Sequence, residues 1–373
     1  MAVLDEVREP SWSADSSLPP RRPAASSSRN APLRRSSAII PEVLEPSPGA
    51  RAPRMRTRRT LKWVGLVLLA GLAGFVFGWV PYWLGGVATT RRFQFNDRAN
   101  AGLTPASFNL PFEDVSFQTA DGVSLKGWWI PAPDAKGTIV FIHGLNRSRI
   151  ENVKKVPFAH EQGWNALLFD VRHHGVSGGD VSGFGWLERK DAEAAKAYAE
   201  SRSKGAIVMW GVSLGAATAV FAAAEDPSVA GVISDSSYRS LPDTVKHHLQ
   251  LFRGFRWWLR IVPSWPVGDE VIFWLGRRGG FNARAVDVQA AAARLAGRPA
   301  LFVCNSGDRR MPPDIAFDLK AAAGERARVL VVPGNTHGEA YRDGKPAYES
   351  AVGDLLREAA AGPAPRLASG RAN

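Results

Sequence analysis

Cysteine is almost missing from this chain: one residue, Cys304, in 373. An internal disulfide framework and a cysteine-built zinc site are therefore excluded. Lysine is scarce as well, 11 residues against 36 arginines. There is no Walker sequence, no dinucleotide fingerprint and no internal repeat, and no nucleic-acid-binding module can be found. Composition also excludes collagen, a coiled coil and wholesale disorder.

What is present is a chain that is 45% hydrophobic and 22% charged, long enough to bury a sizeable core. Its net charge of +12 is unevenly placed. Residues 1–62 hold 11 Arg and 1 Lys against 6 acids, a balance of +6, so half the excess sits in a tail and not in a nucleic-acid groove.

Residues 1–60 are rich in Ser, Pro, Ala and Arg and are expected to be disordered, because so little clustered apolar surface cannot offset the entropy of ordering. From Trp63 to Val80 there are then eighteen residues without a charge or strongly polar side chain, with apolar character continuing to Val87. The expectation is one transmembrane helix over 61–87, since about 20 helical residues cross the hydrocarbon. Trp79, Tyr82 and Trp83 mark an interface at its far end. Arg54, Arg56, Arg58, Arg59 and Lys62 crowd the near end, so the N-terminus is expected in the cytoplasm and the rest across the membrane. A cleaved signal is the rival, with Gly86-Val87-Ala88 as cleavage site or Met55 as the true start, but signal cores run only about 7–15 residues. Gly74 and Gly78 form a GxxxG pair, and the sequence leaves the oligomeric state open.

After a linker at 88–110, residues 111–362 alternate strand and helix, and 363–373 form a second tail. A hairpin, Val115–Gln118 and Val123–Trp129, turns at Ala120-Asp121-Gly122. Short apolar runs follow at Thr138–Ile142, Ala166–Phe169, Ala206–Trp210, Gly231–Ile233, Ala300–Val303 and Val329–Val332. Helical stretches separate them. The reading is an α/β fold: a mostly parallel eight-stranded sheet with helices on both faces. Between strands six and seven, residues 241–282 are too long for a simple crossover and are expected to form a helical cap.

The chemistry-bearing residues fall at strand ends. Gly211-Val212-Ser213-Leu214-Gly215 follows a strand run and precedes an alanine-rich helix. That context fits a nucleophile elbow, in which Ser213 projects above the sheet and the Leu214 N–H faces an oxyanion. The alternative for the pentapeptide alone is a serine capping a glycine-lined helix. A serine hydroxyl needs a base, and the base an orienting acid. Asp308 lies just past strand seven and His337 in the loop after strand eight, giving the order Ser213, Asp308, His337. Asp235, at the end of strand six, is the second-choice acid. Leu145, in the loop Phe141-Ile142-His143-Gly144-Leu145-Asn146-Arg147, would supply the other oxyanion N–H, whereas His143 reads as a structural histidine bonded to backbone.

With His143-Gly144, Asn146-Arg147, Phe169-Asp170-Val171-Arg172, His174-Gly175, Ser177, the Ser213 elbow, Asp235-Ser236, Asp308 with Pro312, and His337-Gly338, the chain resembles the α/β-hydrolase superfamily over about residues 111–360. It looks closest to the membrane-anchored esterase or serine-aminopeptidase-like branch. The resemblance implies the α/β-hydrolase fold, a triad of Ser213, Asp308 and His337, and an oxyanion hole at Leu145 and Leu214. It also implies a buried structural ion pair between Asp170 and Arg172. His173 departs from the glycine of many relatives and is expected near the entrance.

The function expected is a membrane-anchored serine hydrolase acting on a carboxylic ester, with no metal or organic cofactor. Its substrate would be a small-molecule or lipid-like acyl compound, membrane lipid its neighbour, and nucleic acid no partner. Peptidase, thioesterase or acyltransferase chemistry on the same triad, or a non-catalytic ligand-binding protein, are the alternatives. In the cap, Phe252, Phe255, Trp257, Trp258, Trp265, Phe273 and Trp274 beside Arg253, Arg256 and Arg260 either pack on the core or form a patch near the bilayer.

Overall fold

The computed structural model describes residues 54–90, 100–255 and 264–362. The chain divides into two compact units, residues 1–68 and 69–373. In the first, the described part is helical, the beginning of α1 (Arg54–Gly74).

The second unit contains a π-helical turn (Phe75–Trp79), then α2 (Val80–Thr90). Through these elements Arg59–Thr90 is long and apolar enough to cross a membrane by length and composition. The helix continues to Thr90, past the expected boundary at 87, and Pro81, Gly85, Gly86 and Thr89 are buried. A 3-10 turn at Pro105–Phe108 leads into β1 (Glu113–Gln118) and β2 (Ser124–Ile130). Then come β3 (Gly137–Ile142), α3 (Val156–Glu161), β4 (Asn165–Asp170), α4 (Arg189–Arg202) and β5 (Ala206–Val212). The chain continues with α5 (Leu214–Glu225), β6 (Val229–Asp235), α6 (Leu241–Phe255), α7 (Ser264–Gly279) and α8 (Val288–Ala292). It closes with β7 (Ala300–Asn305), α9 (Pro313–Ala323), β8 (Ala327–Val332), α10 (Ala340–Asp343) and α11 (Lys345–Ala360).

The strands form one eight-stranded sheet in the order β1-β2-β4-β3-β5-β6-β7-β8. The β1–β2 and β2–β4 pairs are antiparallel, and every later pair is parallel. This is the mostly parallel eight-stranded sheet expected from the alternating pattern. β3, β4 and β7 are buried at every position, which is why they read as unbroken apolar runs and not as alternation. Successive β3 side chains still feed opposite layers. Val140 and Ile142 join the layer containing α4, α5, α8 and α9, while Ile139 and Phe141 join the one containing α3 and α11. The edge strands β1 and β8 are partly exposed.

The strand order also positions the site. From β3 the chain steps to β4 on one side, then returns to β5 on the other. Such a reversal leaves a crevice at the carboxyl ends of the two central strands, where open α/β sheets collect ligands. The loop after β3 and the turn after β5 both open there.

Two helices, α6 and α7, stand between β6 and β7 where a cap was expected. Arg256, Trp257, Trp258 and Arg260 lie outside the described residues, as does the Phe255 side chain. The remaining aromatics divide: Trp265 and Phe273 are exposed, whereas Trp274 packs edge-on against Tyr82 of α2.

Candidate active site

Ser213 sits where β5 ends and α5 begins, at φ 53° and ψ −111°, a backbone conformation L-residues rarely adopt. The turn is that tight because three backbones converge. A Cβ on Gly211 would lie 2.0 Å from the Gly215 carbonyl oxygen, and one on Gly215 would lie 2.1 Å from the Ile142 carbonyl oxygen. Only glycine fits either position. The Ser213 N–H donates to the Asp235 carbonyl (2.8 Å), fixing the turn to the end of β6.

Three side chains from three loops meet here. His337 Nε2 is 2.9 Å from Ser213 Oγ, and His337 Nδ1 is 2.7 Å from Asp308 Oδ2. The Asp308 side chain is 1% exposed and that of His337 is 11% exposed, so acid and base are shielded from solvent. The other Asp308 oxygen accepts the amides of Arg310 (2.8 Å) and Met311 (3.1 Å). Burial pushes this carboxyl upward, but the His337 hydrogen bond and charge, with those two amides, outweigh it and hold Asp308 below the usual range. Serine hydroxyl, imidazole and carboxylate thus stand in one hydrogen-bonded line.

The loop after β3 runs alongside. A Cβ on Gly144 would be 3.5 Å from Ser213 Cβ. The Gly144 N–H is committed, donating to Glu151 Oε2 at 2.6 Å, while Arg147 pairs with the other Glu151 oxygen at 3.3 Å. Leu145, the next residue, packs half-buried beside the core. Leu214 opens α5, and a helix's first N–H groups have no partner within the helix. Sequence reasoning missed Glu151, which holds this loop in place; a carboxylate seven residues beyond Gly144 gives no signal until the chain folds back.

His143 is fully buried. Its Nδ1 bonds the Gly144 carbonyl (2.8 Å), and its Nε2 accepts the Val171 amide (3.0 Å). Burial, then the neighbouring His174 charge, pushes it down to about 3, so it stays neutral and braces backbone.

The Asp170–Arg172 ion pair implied by resemblance is not formed. Arg172 binds Asp191 of α4 (2.8 Å) and Asp121 of the β1–β2 turn (3.0 Å). Asp170 instead accepts the Arg149 amide (2.7 Å) and the Val176 amide (3.1 Å). The loop folds so tightly over Asp170 that a Cβ on Gly175 would lie 2.2 Å from its carboxyl, leaving no room for a guanidinium. His173 is buried too, its N–H donating to the Gly178 carbonyl (2.7 Å).

Asp235 stays off the histidine. Its oxygens accept the hydroxyls of Ser236 (3.0 Å) and Tyr348 (2.9 Å). Burial raises its carboxyl above the usual range, against the opposing pull of Lys155. Ser236 Oγ in turn accepts the N–H of Gly338 (3.3 Å), the residue after His337. Among the described residues no cluster of three His, Cys, Asp or Glu side chains is arranged to hold a metal.

The alpha/beta hydrolase family profile matches residues 139–348. The uncharacterized protein YqkD of Bacillus subtilis is 26% identical over 242 residues, covering 64% of this chain and 77% of the relative. An uncharacterized Mycobacterium tuberculosis protein is 30% identical over 247 residues, covering 64% and 78%. The alpha/beta hydrolase domain-containing protein WAV2 of Arabidopsis thaliana is 26% identical over 258 residues, covering 66% and 79%. Among solved structures, a Pyrococcus furiosus esterase superposes with a TM-score of 0.56 at 23% identity, covering 69% of this chain and 94% of the esterase. At that identity the likeness speaks for the fold.

Proposed function

The chain belongs to the alpha/beta hydrolase family, and from that premise we propose that it is a membrane-anchored serine hydrolase cleaving a carboxylic ester through Ser213, His337 and Asp308. The observation that carries the reading is the line from Ser213 Oγ to His337 Nε2 (2.9 Å) and from His337 Nδ1 to Asp308 Oδ2 (2.7 Å). A ligand-binding protein has no need of such a line.

In this mechanism His337 Nε2 takes the Ser213 proton as Oγ attacks the ester carbonyl. The carbonyl oxygen becomes an oxyanion facing the N–H groups of Leu145 and Leu214, each worth about 10²–10³ in rate. Asp308 holds the imidazole in orientation and stabilises its charged form. The tetrahedral intermediate collapses, the leaving alcohol takes the proton from His337, and the acyl group stays on Ser213. Water then attacks with His337 again as base, releasing the acid and restoring the serine.

The helix Arg59–Thr90 is the proposed anchor, its arginine-rich approach on the cytoplasmic side and the hydrolase domain across the membrane. A lipid-like acyl ester suits that placement.

The test is fluorophosphonate labelling of the full chain in detergent, wild type beside Ser213→Ala, with p-nitrophenyl esters of graded chain length. The full chain is required because α2 is part of the folded body. Labelling and turnover in wild type, both lost in Ser213→Ala, are expected. Labelling without ester turnover moves the reading to a peptidase, thioesterase or acyltransferase. Well-folded wild type showing neither overturns it.

A further inference from the structure

Away from the triad, the C-terminal half of α7 and the turn that follows line an open groove of about 470 Å³. Ile272, Phe273 and Phe281 give it apolar walls, and Arg277 and Arg284 are its two charged lining residues. Arg278 stands beside it on the same helix, its guanidinium 4.8 Å from the Tyr82 ring and its buried Nε without a hydrogen-bond partner. Nearby acids are engaged or out of reach. Asp269 pairs with Lys246 at 3.8 Å, and Asp287 caps the Ala290 amide at 2.8 Å. Glu270 is two helical turns from Arg277, about 10 Å along the axis. The negative end of the helix accounts for basic residues in its last turn, but Arg284 lies beyond that turn, in the 3-10 turn that also lines the groove.

The position of α7 identifies the partner. Its Trp274 and Arg278 pack on Gly85 and Gly86 of α2 so closely that a Cβ on either glycine would lie under 3.0 Å from them. α7 also packs against Phe75–Trp79, where the apolar helix is exposed. The groove is therefore carried on the element into which the proposed membrane helix is wedged, and Phe273 there is 52% exposed.

We propose that this groove binds the anionic headgroup of a membrane phospholipid, the phosphate lying between Arg277 and Arg284 and the start of an acyl chain on Phe273 and Phe281. Arginine's planar fork suits phosphate oxygens, and the aromatic walls suit methylenes. The proposal rests on reading Arg59–Thr90 as a membrane span. A lipid seated there would hold the cap at the bilayer surface, next to a source of acyl esters.

The experiment is thermal unfolding of the full chain in neutral detergent with dioctanoyl phosphatidylglycerol, dioctanoyl phosphatidylcholine or inorganic phosphate. Saturating phosphatidylglycerol should raise Tm by about 3–6 °C, phosphatidylcholine by less than about 1 °C, and phosphate by an intermediate amount. Arg277→Gln/Arg284→Gln should abolish the phosphatidylglycerol shift while leaving lipid-free Tm and ester turnover unchanged. An equal shift with phosphatidylcholine, a full shift with phosphate alone, or a shift surviving in the double variant overturns the proposal. Alkaline extraction of membranes from the same expression reads the anchor separately. A chain that stays with the membrane but shows no lipid shift overturns the groove alone. A chain that is extracted overturns the anchor, and a phosphatidylglycerol shift in that case sustains the groove as a site for peripheral contact.

Discussion

The ends of β6 and β7 lie side by side, with Asp235 of β6 in register with Val303 of β7, and each end delivers a buried aspartate. Their surroundings drive them apart. Asp308 extends past β7 on a loop, receives two amides and the His337 ring, and is held below the usual carboxylate range despite its burial. Asp235 is the last residue of β6, receives two hydroxyls, and is pushed above that range by burial. Donors favour a carboxylate in both places, but at Asp308 the amides and the His337 ring outweigh burial, whereas at Asp235 burial outweighs the two hydroxyls and Lys155. The difference separates a group suited to stabilise an imidazolium from one that ties a strand to α11 and, through Ser236, to the histidine loop.

Breaking the β7 end should have the largest effect. Asp308→Asn is expected to lower kcat by about 10³–10⁴ while Tm moves only a few degrees, read by ester turnover and calorimetry together. The lowered carboxyl also has a sign in pH. Its stabilisation is complete above the unfolded value near 3.9 and is lost as pH falls through the lower folded value. The difference in stability between wild type and Asp308→Asn should therefore disappear in strong acid.

The β6 end should answer in stability instead. Lys155, fully buried and bonded to Asn152 Oδ1 at 2.9 Å, is the cation facing Asp235. Lys155→Met should cost about 2–4 kcal/mol by urea unfolding, because it strands a buried carboxyl, with kcat of the folded enzyme changed less than about 10-fold. A loss of kcat matching that of Asp308→Asn would erase the distinction between the two ends.

Asp235→Asn is expected to cost about 1–3 kcal/mol with a similarly small change in kcat. An acid whose folded value is raised stabilises most at low pH and loses that contribution as pH rises from its unfolded value through its folded one. The deficit of Asp235→Asn should thus narrow as pH rises above the unfolded value of about 4; a deficit that widens contradicts the assignment. The smallest effect is expected for Ser236→Ala, which frees the Gly338 amide. It should reduce kcat about 3–10-fold with KM unchanged, as one neutral hydrogen bond positioning His337 would.

Much of this was legible in the chain. Each expected strand appears in the sheet to within a few residues, because buried parallel strands between turn signals leave a plain apolar mark. Ser213, Asp308 and His337 stood out because each follows a strand, and strands in one parallel sheet deliver their carboxyl ends to one edge. The Asp170–Arg172 pair failed for a local reason: the residues are close in sequence, but the Gly175 turn closes over Asp170 and sends Arg172 to partners 19 and 51 residues away. Tyr348 and Glu151 were missed because nothing in their immediate sequence distinguishes them from other helix and turn residues.

The sequence by itself determined the order of elements, the edge where the chemistry collects and the types of group brought there, since periodicity and turn chemistry act over a few residues. Tertiary structure alone decided which acids Arg172 meets, which N–H is taken by Glu151, and that the end of the apolar helix is buried on the cap. Those outcomes depend on distances between segments far apart in the chain, and on whether a partner's amide, hydroxyl or charge arrives first at a buried group.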